Sequence, residues 1–455
     1  MTAITDANTF IDQNLINVPY QGVPATTLNA CLKTITNVFN SYATIASVNS
    51  LFGYALDGNF PAALMNAPNQ AFTLNGGYVS ISALLLFSSG QKYTVGPDGN
   101  YILNAANGPA WDWSTGRRRL LIEAIGSTNY WTNSDAMPVG NIGNGSVAFE
   151  PNALLGALTL TTLTKTTSNL LTYVASGSLS VGAGGKSTFT IAVVAGNLTT
   201  CSVGILGTSS TWGTNGNATA SVISGPGALS QNDGSLFNVT GLSSIPTIIS
   251  ITKTSPSAET HAGYIYQQST DSGTAGDTLK YGRGQLELGS VWSSYIPCGA
   301  SPTARAADVV TAASGLLALL QAGGALVYRG RCHSVSPSGT IYPAIGSINR
   351  AASVEVSNAA AYAVSAAIDV LYAAPSASPF TDFGFAVTWT AGQRKLAVNG
   401  GAVTSDNAAL FSASDVGLQL FKGADGYANG ELDELIVWPI YASDAGLQAQ
   451  ARAYS

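Results

Sequence analysis

Residues 284–310 read GQLELGSVWSSYIPCGASPTARAADVV. Gln285 and Glu287 alternate with Leu286 and Leu288, the period-two pattern of a strand with one wet face and one buried face. Pro297 and Pro302 interrupt it, and from Ser294 to Arg305 no helical periodicity takes over, only an extended exit rich in small residues. The stretch reads as a domain's last strand followed by its way out.

Working outward, runs of the same kind fill the chain on both sides. Upstream, Leu158–Leu163, Asn169–Ala175, Ser187–Val194, Cys201–Leu206, Ala218–Ile223, Ser235–Leu242, Thr247–Ile251 and Gly263–Gln267 precede Gly284–Leu288, and nine such runs suit a two-sheet sandwich over 120–308. Downstream, Ala325–Gly330, Ala361–Leu371, Phe383–Trp389, Arg394–Gly401, Gly417–Phe421 and Gly430–Trp438 predict a second β-unit over 309–455, closed by a helical turn at 443–448 with Ser443 as its N-cap. Residues 51–119 predict short strands, with a Pro97-Asp98-Gly99-Asn100 turn between two of them. Only 1–50 predicts a helix. After Pro24, Leu28, Leu32, Ile35, Phe39 and Tyr42 follow at steps of four and three, and Cys31, Val38 and Ile45 widen the apolar face beyond what a two-stranded coil needs. That face suits a trimer or a docking partner, or else a helix lying on its own domain. The expected fold class is mainly β: an N-terminal helix and short β region, then two β-sandwiches.

Composition agrees. Only 9% of the 455 residues are charged while 46% are apolar, and the net charge is −6. Disordered chains show the opposite balance, so this one folds. The acidic balance argues against nucleic acid, since phosphate neutralisation needs clustered Lys and Arg and Arg117-Arg118-Arg119 is too short a run. No stretch approaches the 18 or so apolar residues of a membrane span, and the start of the chain lacks the basic and apolar regions of a secretory signal. Low charge with abundant Thr, Ser, Gly and Val is the composition of extracellular fibres, adhesins and virion proteins; a bacterial adhesin fits less well without a signal.

GQLELGSVWSSYIP followed by TARAADV resembles the closing strand of jelly-roll modules in head-fibre and tail-fibre proteins of tailed bacteriophages, with Arg305, Ala306, Ala307 and Asp308 marking the hand-over to a second sandwich. YTVGPDGNYILNAANGPAWDW and Leu120-Leu121-Ile122-Glu123-Ala124, with Thr128-Asn129 after it, resemble the lead-in of the same proteins. FAVTWTAGQRKLAVNGG and GELDELIVWPIYASDAGLQ resemble the central hairpin and final strand of laminin-G/concanavalin-like lectin domains. The resemblances imply a virion fibre or spike on the phage surface, trimeric, joined to capsid or tail proteins through residues 1–50. Its outward sandwiches would hold host-surface glycans. A receptor-binding tail fibre is the nearest alternative, and a virion polysaccharide depolymerase is the alternative from another class.

Few residues suit catalysis, and no enzyme activity is expected. A depolymerase needs two carboxylates across a cleft; Glu431 and Asp433 share a strand face, compatible with such a pair or with calcium, while the resembling family uses this stretch structurally. Glu287 stands on one strand without an evident partner. Cys31, Cys201, Cys298 and Cys332 match no zinc spacing, Cys332 and His333 point to opposite strand faces, and no cofactor or metal is expected. Val181–Ser187 lacks a phosphate-loop glycine at Ser180 and precedes a strand, so it is a hairpin turn. Sugar binding needs aromatic faces and neutral hydrogen-bonding groups, not charge. Trp131, Trp212, Tyr264, Tyr266, Tyr328, Tyr342 and Tyr427 are the candidates, with Tyr264 and Tyr266 on one face.

Overall fold

A computed structural model describes residues 55–57, 70–72, 78–81, 84–134, 142–150, 159–208, 218–233, 236–268, 273–336, 341–348, 352–357, 361–365, 369–373, 382–423, 426–438 and 441–452. The expected helix with Leu28, Leu32, Ile35, Phe39 and Tyr42, together with Trp212, lies outside them. The described chain is mainly β, with helices only at Ser314–Ala322 and Asp444–Gln450.

The first sandwich is a jelly roll. One sheet runs Leu160–Lys165, Thr278–Leu288, Lys186–Ala195, Thr247–Thr254, with Gly145–Glu150 and Ala218–Ser224 at its edges. The facing sheet runs Tyr173–Ala175, Glu259–Tyr266, Cys201–Gly207, Leu236–Thr240. Numbered from Leu160, the eight strands fall in the order 1-8-3-6 and 2-7-4-5, the double Greek key of that fold. Period-two alternation fills the space between the sheets with Leu163, Phe189, Ile191, Val203, Ile249, Ile251, Ile265 and Leu286, all without exposed surface. Trp131 closes this core, stacked on Phe189 with ring centroids 5.3 Å apart. A Cβ on Gly284 would meet that indole at 2.5 Å, which explains a glycine inside the last strand. Gly182–Gly185 is a tight turn, with Gly184 at φ 72°, but not the expected hairpin: the strands on either side, Leu179–Val181 and Lys186–Ala195, belong to the two different sheets, so the turn crosses from one to the other.

The second sandwich takes strands from both sides of the first. Tyr427–Trp438 lies centrally, bonded to Gly324–Ser336 on one side and, on the other, to Ala55–Asp57 and to Arg119–Glu123. In the facing sheet, Val309–Ala312 pairs with Leu85–Ser88. Leu84, Leu120 and Ile122 share one core with Leu326, Val354, Phe385 and Leu435. The jelly roll is therefore an insertion in this sandwich. The expected start of the jelly-roll unit at 120 differs from the pairing: Leu120–Glu123 bonds to Leu432–Asn429, the register that buries Leu120 and Ile122 in the second core. The helix Ser314–Ala322, not foreseen from the sequence, buries Leu316 and Leu320 one turn apart and stops at Gly323, φ 88°. Ser443 caps the last helix, its hydroxyl accepting the Gly446 N–H at 3.2 Å.

An inserted domain needs its entry and exit side by side. Ser127–Asn129 and Thr303–Arg305 pair antiparallel to form that neck. The Asn129 amide, fully buried, donates to the Ile296 carbonyl at 2.8 Å and accepts the Trp131 N–H at 2.9 Å. The Glu123 carboxylate accepts the Ser294 N–H and hydroxyl, both at 2.6 Å, and pairs with Arg305 Nη1 at 2.6 Å. Asp308 takes the Lys92 ammonium and the Glu123 N–H. Burial pushes the Glu123 carboxyl up, but Arg305 and Lys92 outweigh it and hold the group below its usual range. The expected wet face of the 284–288 strand is buried too, because residues 290–294 fold back over it. Glu287 accepts from Ser127 and from Ser293, and Gln285 donates to the Ser293 carbonyl at 3.1 Å.

Asp112 pins the hairpin Lys92–Val95/Tyr101–Asn104, accepting the Val95 N–H at 2.9 Å. Burial first, and Glu431 second, push its carboxyl up to about 6. A folded pKa above the unfolded one means that the native state binds the extra proton, so this group's stabilisation is present below about pH 4, falls as pH rises to about 6 and stays lost above. Asp112→Asn is expected to remove that slope, on the order of 2–3 kcal/mol. Urea midpoints of both proteins at pH 4 and 6.5 check it.

Candidate functional site

Where the jelly roll meets the second sandwich, one cleft of about 430 Å³ opens, within the size range of small-ligand sites. One wall is the outer face of the jelly-roll sheet. Ala218–Ser224 lies beside Thr247–Thr254 in a register that sets Thr219 opposite Thr252 and Ser221 opposite Ser250. Alternation sends Ile249 and Ile251 into the core and leaves those four hydroxyls as a two-by-two grid on the cleft. The other wall comes from Ser290, Trp292 and His333. Cys332 turns its thiol into the second core at 1% exposure, as strand alternation requires of His333's neighbour.

The parts are held in place. The Trp292 and His333 rings stand 5.6 Å apart at 45°. His333 Nε2 lies 3.1 Å from Glu431 Oε1, whose carboxylate also takes Arg331 Nε and Arg119 Nη1 at 3.0 Å each. Thr252 donates to the Ser290 carbonyl at 3.3 Å and meets the Thr188 hydroxyl at 3.0 Å. The cleft thus offers neutral donors and acceptors, one indole and one imidazole. Its described lining contains no carboxylate, so the acid and base of a glycosidase are missing there.

Glu431 and Asp433 do share a face, but that face is buried and occupied. Arg117 Nε and Arg119 Nε reach Asp433 Oδ1 at 2.7 and 3.0 Å, and both arginines also bind Asp382. Burial raises the Glu431 carboxyl, yet His333, Arg331 and Arg119 overcome it and hold the group far below its usual range. At Asp433 burial wins over Arg117 and Arg119, and the carboxyl sits above its usual range. The pair is an ion network tying strand Arg119–Glu123 to the last strand, not an open site for water or calcium. Likewise, Glu287 is 1% exposed and fully partnered, contrary to its reading as a lone surface acid.

The sequence-derived aromatic residues separate into groups. Trp131 and Tyr328 are core residues without exposed surface, Tyr328 stacking on Phe385 at 5.0 Å, so neither presents a face to a ligand. Tyr264 and Tyr266 do share the outer face of the second jelly-roll sheet, stacked at 5.6 Å, and Tyr173 joins them from the next strand at 5.8 and 5.5 Å. Tyr266 is 5% exposed, and the stacked rings cover each other's faces. Tyr427 is 41% exposed with the Lys422 ammonium 4.7 Å from its ring centre. Only the backbone of Tyr342 is described, in strand Ile341–Gly346. Trp292, His333 and the hydroxyl grid were missed. Their signal was Thr219/Ser221 and Ser250/Thr252 recurring at period two across from apolar residues.

A hydroxyl–imidazole–carboxylate line, also unforeseen, forms inside the jelly roll: Ser187 Oγ is 2.7 Å from His261 Nδ1, and His261 Nε2 is 3.0 Å from Glu259 Oε1. Ser187 and His261 have no exposed surface, which bars a substrate, and burial holds His261 below its ordinary pKa. The buried thiols of Cys201, Cys298 and Cys332 are unpaired by disulfides; Cys31 lies outside the described residues. Among the described residues, no cluster of three or more His, Cys, Asp or Glu is arranged to hold a metal, and no helix is long and apolar enough to cross a membrane.

No protein-family model matches the chain. No curated protein matches it either. Among solved structures, the carbohydrate-binding module CBM40 of a Ruminococcus gnavus IT-sialidase, bound to alpha2,3 sialyllactose, is similar at 15% identity and TM-score 0.24 over 30% of this chain and 86% of that one. Domain 4 of AbnA, a GH43 extracellular arabinanase from Geobacillus stearothermophilus in complex with arabinotriose, is similar at 11% identity and TM-score 0.26, covering 36% and 82%. A putative carbohydrate binding protein from Bacteroides ovatus is similar at 9% identity and TM-score 0.22, covering 63% and 80%. At these scores they add nothing to the β-sandwich architecture that the sheets already establish.

Proposed function

We propose that this chain is a non-enzymatic glycan-binding protein whose ligand lies in the cleft between the sandwiches. One observation supports it above the others: four hydroxyls in a sheet grid and an indole line one space of about 430 Å³ whose described lining holds no carboxylate, lysine or arginine. Hydroxyls on a rigid sheet donate and accept in turn, matching vicinal sugar hydroxyls, and the Trp292 face suits the apolar face of a pyranose. The fibre or spike role on a tailed-phage surface, trimeric and joined to the particle through residues 1–50, rests on the sequence resemblance and the low charge. Repetition on one particle would then turn weak sites into tight adsorption.

The full-length protein on a glycan array tests the reading. Trp292→Ala is expected to lower binding about 30-fold, from about 2 kcal/mol for truncating a central aromatic contact, while the melting curve stays close to wild type. A blank array, or binding unchanged in the variant, contradicts it.

A further inference from the structure

The last jelly-roll strand contains a bulge. Thr190 pairs with Gln285 but Ala192 with Gly282, so Arg283 is extra, and it adopts φ 59°, a conformation unusual for a residue with a Cβ. The bulge aims its side chain out of the strand and into a cage of three tyrosines. The guanidinium carbon lies 3.1 Å from the ring centre of Tyr101, 4.5 Å from Tyr295 and 4.9 Å from Tyr93.

Arg283 is 3% exposed; among the described residues no acceptor meets its Nε, Nη1 or Nη2 in good hydrogen-bond geometry, and the polar partner it does have, the Tyr101 hydroxyl, is neutral and leaves the charge uncompensated. Ring faces attract a cation but accept no conventional hydrogen bonds from its five N–H groups. A buried charge left in this condition demands a counter-charge. Asp112 borders the same cavity, but its carboxylate already accepts the Val95 N–H, the Ser114 N–H and the Ser114 hydroxyl. The cavity beside the guanidinium measures about 20 Å³, room for a single particle of water size. A water would meet the N–H groups and leave the charge; a carboxylate or sulfate is too large.

We propose that the Arg283 cage is a halide site, holding one chloride ion against the guanidinium. The ion would neutralise the bulge where the hairpin Lys92–Asn104 packs on the jelly roll, and Trp292 would separate it from the cleft, since that indole lines both spaces. The site is independent of the glycan reading.

Crystals of the full-length wild-type protein grown or soaked in sodium bromide test it. An anomalous peak within the tyrosine cage, in contact with the Arg283 nitrogens, is expected; no peak there, with only water-like density, overturns it. In solution, the melting temperature is expected to rise with the logarithm of chloride concentration relative to gluconate at equal ionic strength, and Arg283→Met is expected to abolish that dependence. Equal melting in both salts also overturns the proposal. The bromide measurement needs no variant, so a misfolded Arg283→Met does not blunt the test.

Discussion

Replacing Glu123 with glutamine is expected to cost about 3–5 kcal/mol, the loss that follows when one partner of a buried ion network is removed and the other stays buried. Arg305 would lose its carboxylate at 2.6 Å, and Lys92 the weaker pairing at 3.8 Å, while the Ser294 N–H and hydroxyl would face an amide. These groups are the joint between the inserted jelly roll and its host. The loss is therefore expected to appear as a split calorimetric transition, the two sandwiches melting separately where the wild type melts together. A single transition at the wild-type temperature would show that the neck is held by packing alone.

The second large effect belongs to Glu431→Gln, also expected to cost about 3–5 kcal/mol, because Arg119, Arg331 and His333 all converge on that carboxylate. Its folded pKa is depressed, so its stabilisation is fully present above the ordinary carboxylate value near 4.5 and is lost as pH falls toward the depressed one. Wild-type stability should fall below pH 4.5 through this group, and the variant should lack that share of the fall. Denaturant midpoints at pH 7 and pH 3 separate the two. Glycan binding is expected to weaken as well, since Glu431 orients His333 in the cleft wall. Polysaccharide turnover by the wild type that this substitution abolished would instead favour the depolymerase reading.

Much of this architecture is legible in the residues. Period-two alternation located the jelly-roll strands, Gly284–Leu288 closes that domain as its pattern implies, and Ser443 caps the last helix. What alternation cannot show is partnership. Leu120–Glu123 reads equally well as the first strand of the next domain or the last addition to another, and only the pairing with Leu432–Asn429 decides. Nor can it show burial of polar faces. Gln285, Glu287, Glu431 and Asp433 read as solvent-facing because polar and charged side chains usually are, yet all four are covered: Gln285 and Glu287 by residues 290–294 folding back with Ser293 as their partner, Glu431 and Asp433 by Arg119 and Arg117 from a strand distant in sequence. The same limit misplaced Trp131 and Tyr328, since a lone aromatic residue reads alike in a core and on a binding surface. Trp292 was passed over because it sits in a linker, and its value comes from the sheet that the fold brings opposite.

The most direct test of the cleft is hydrogen–deuterium exchange on the full-length protein with and without the best oligosaccharide from the array. Protection confined to residues 218–224, 247–254, 289–293 and 331–333 is the predicted result. Protection centred on Tyr173, Tyr264 and Tyr266 instead, or none in the cleft walls, would contradict the account.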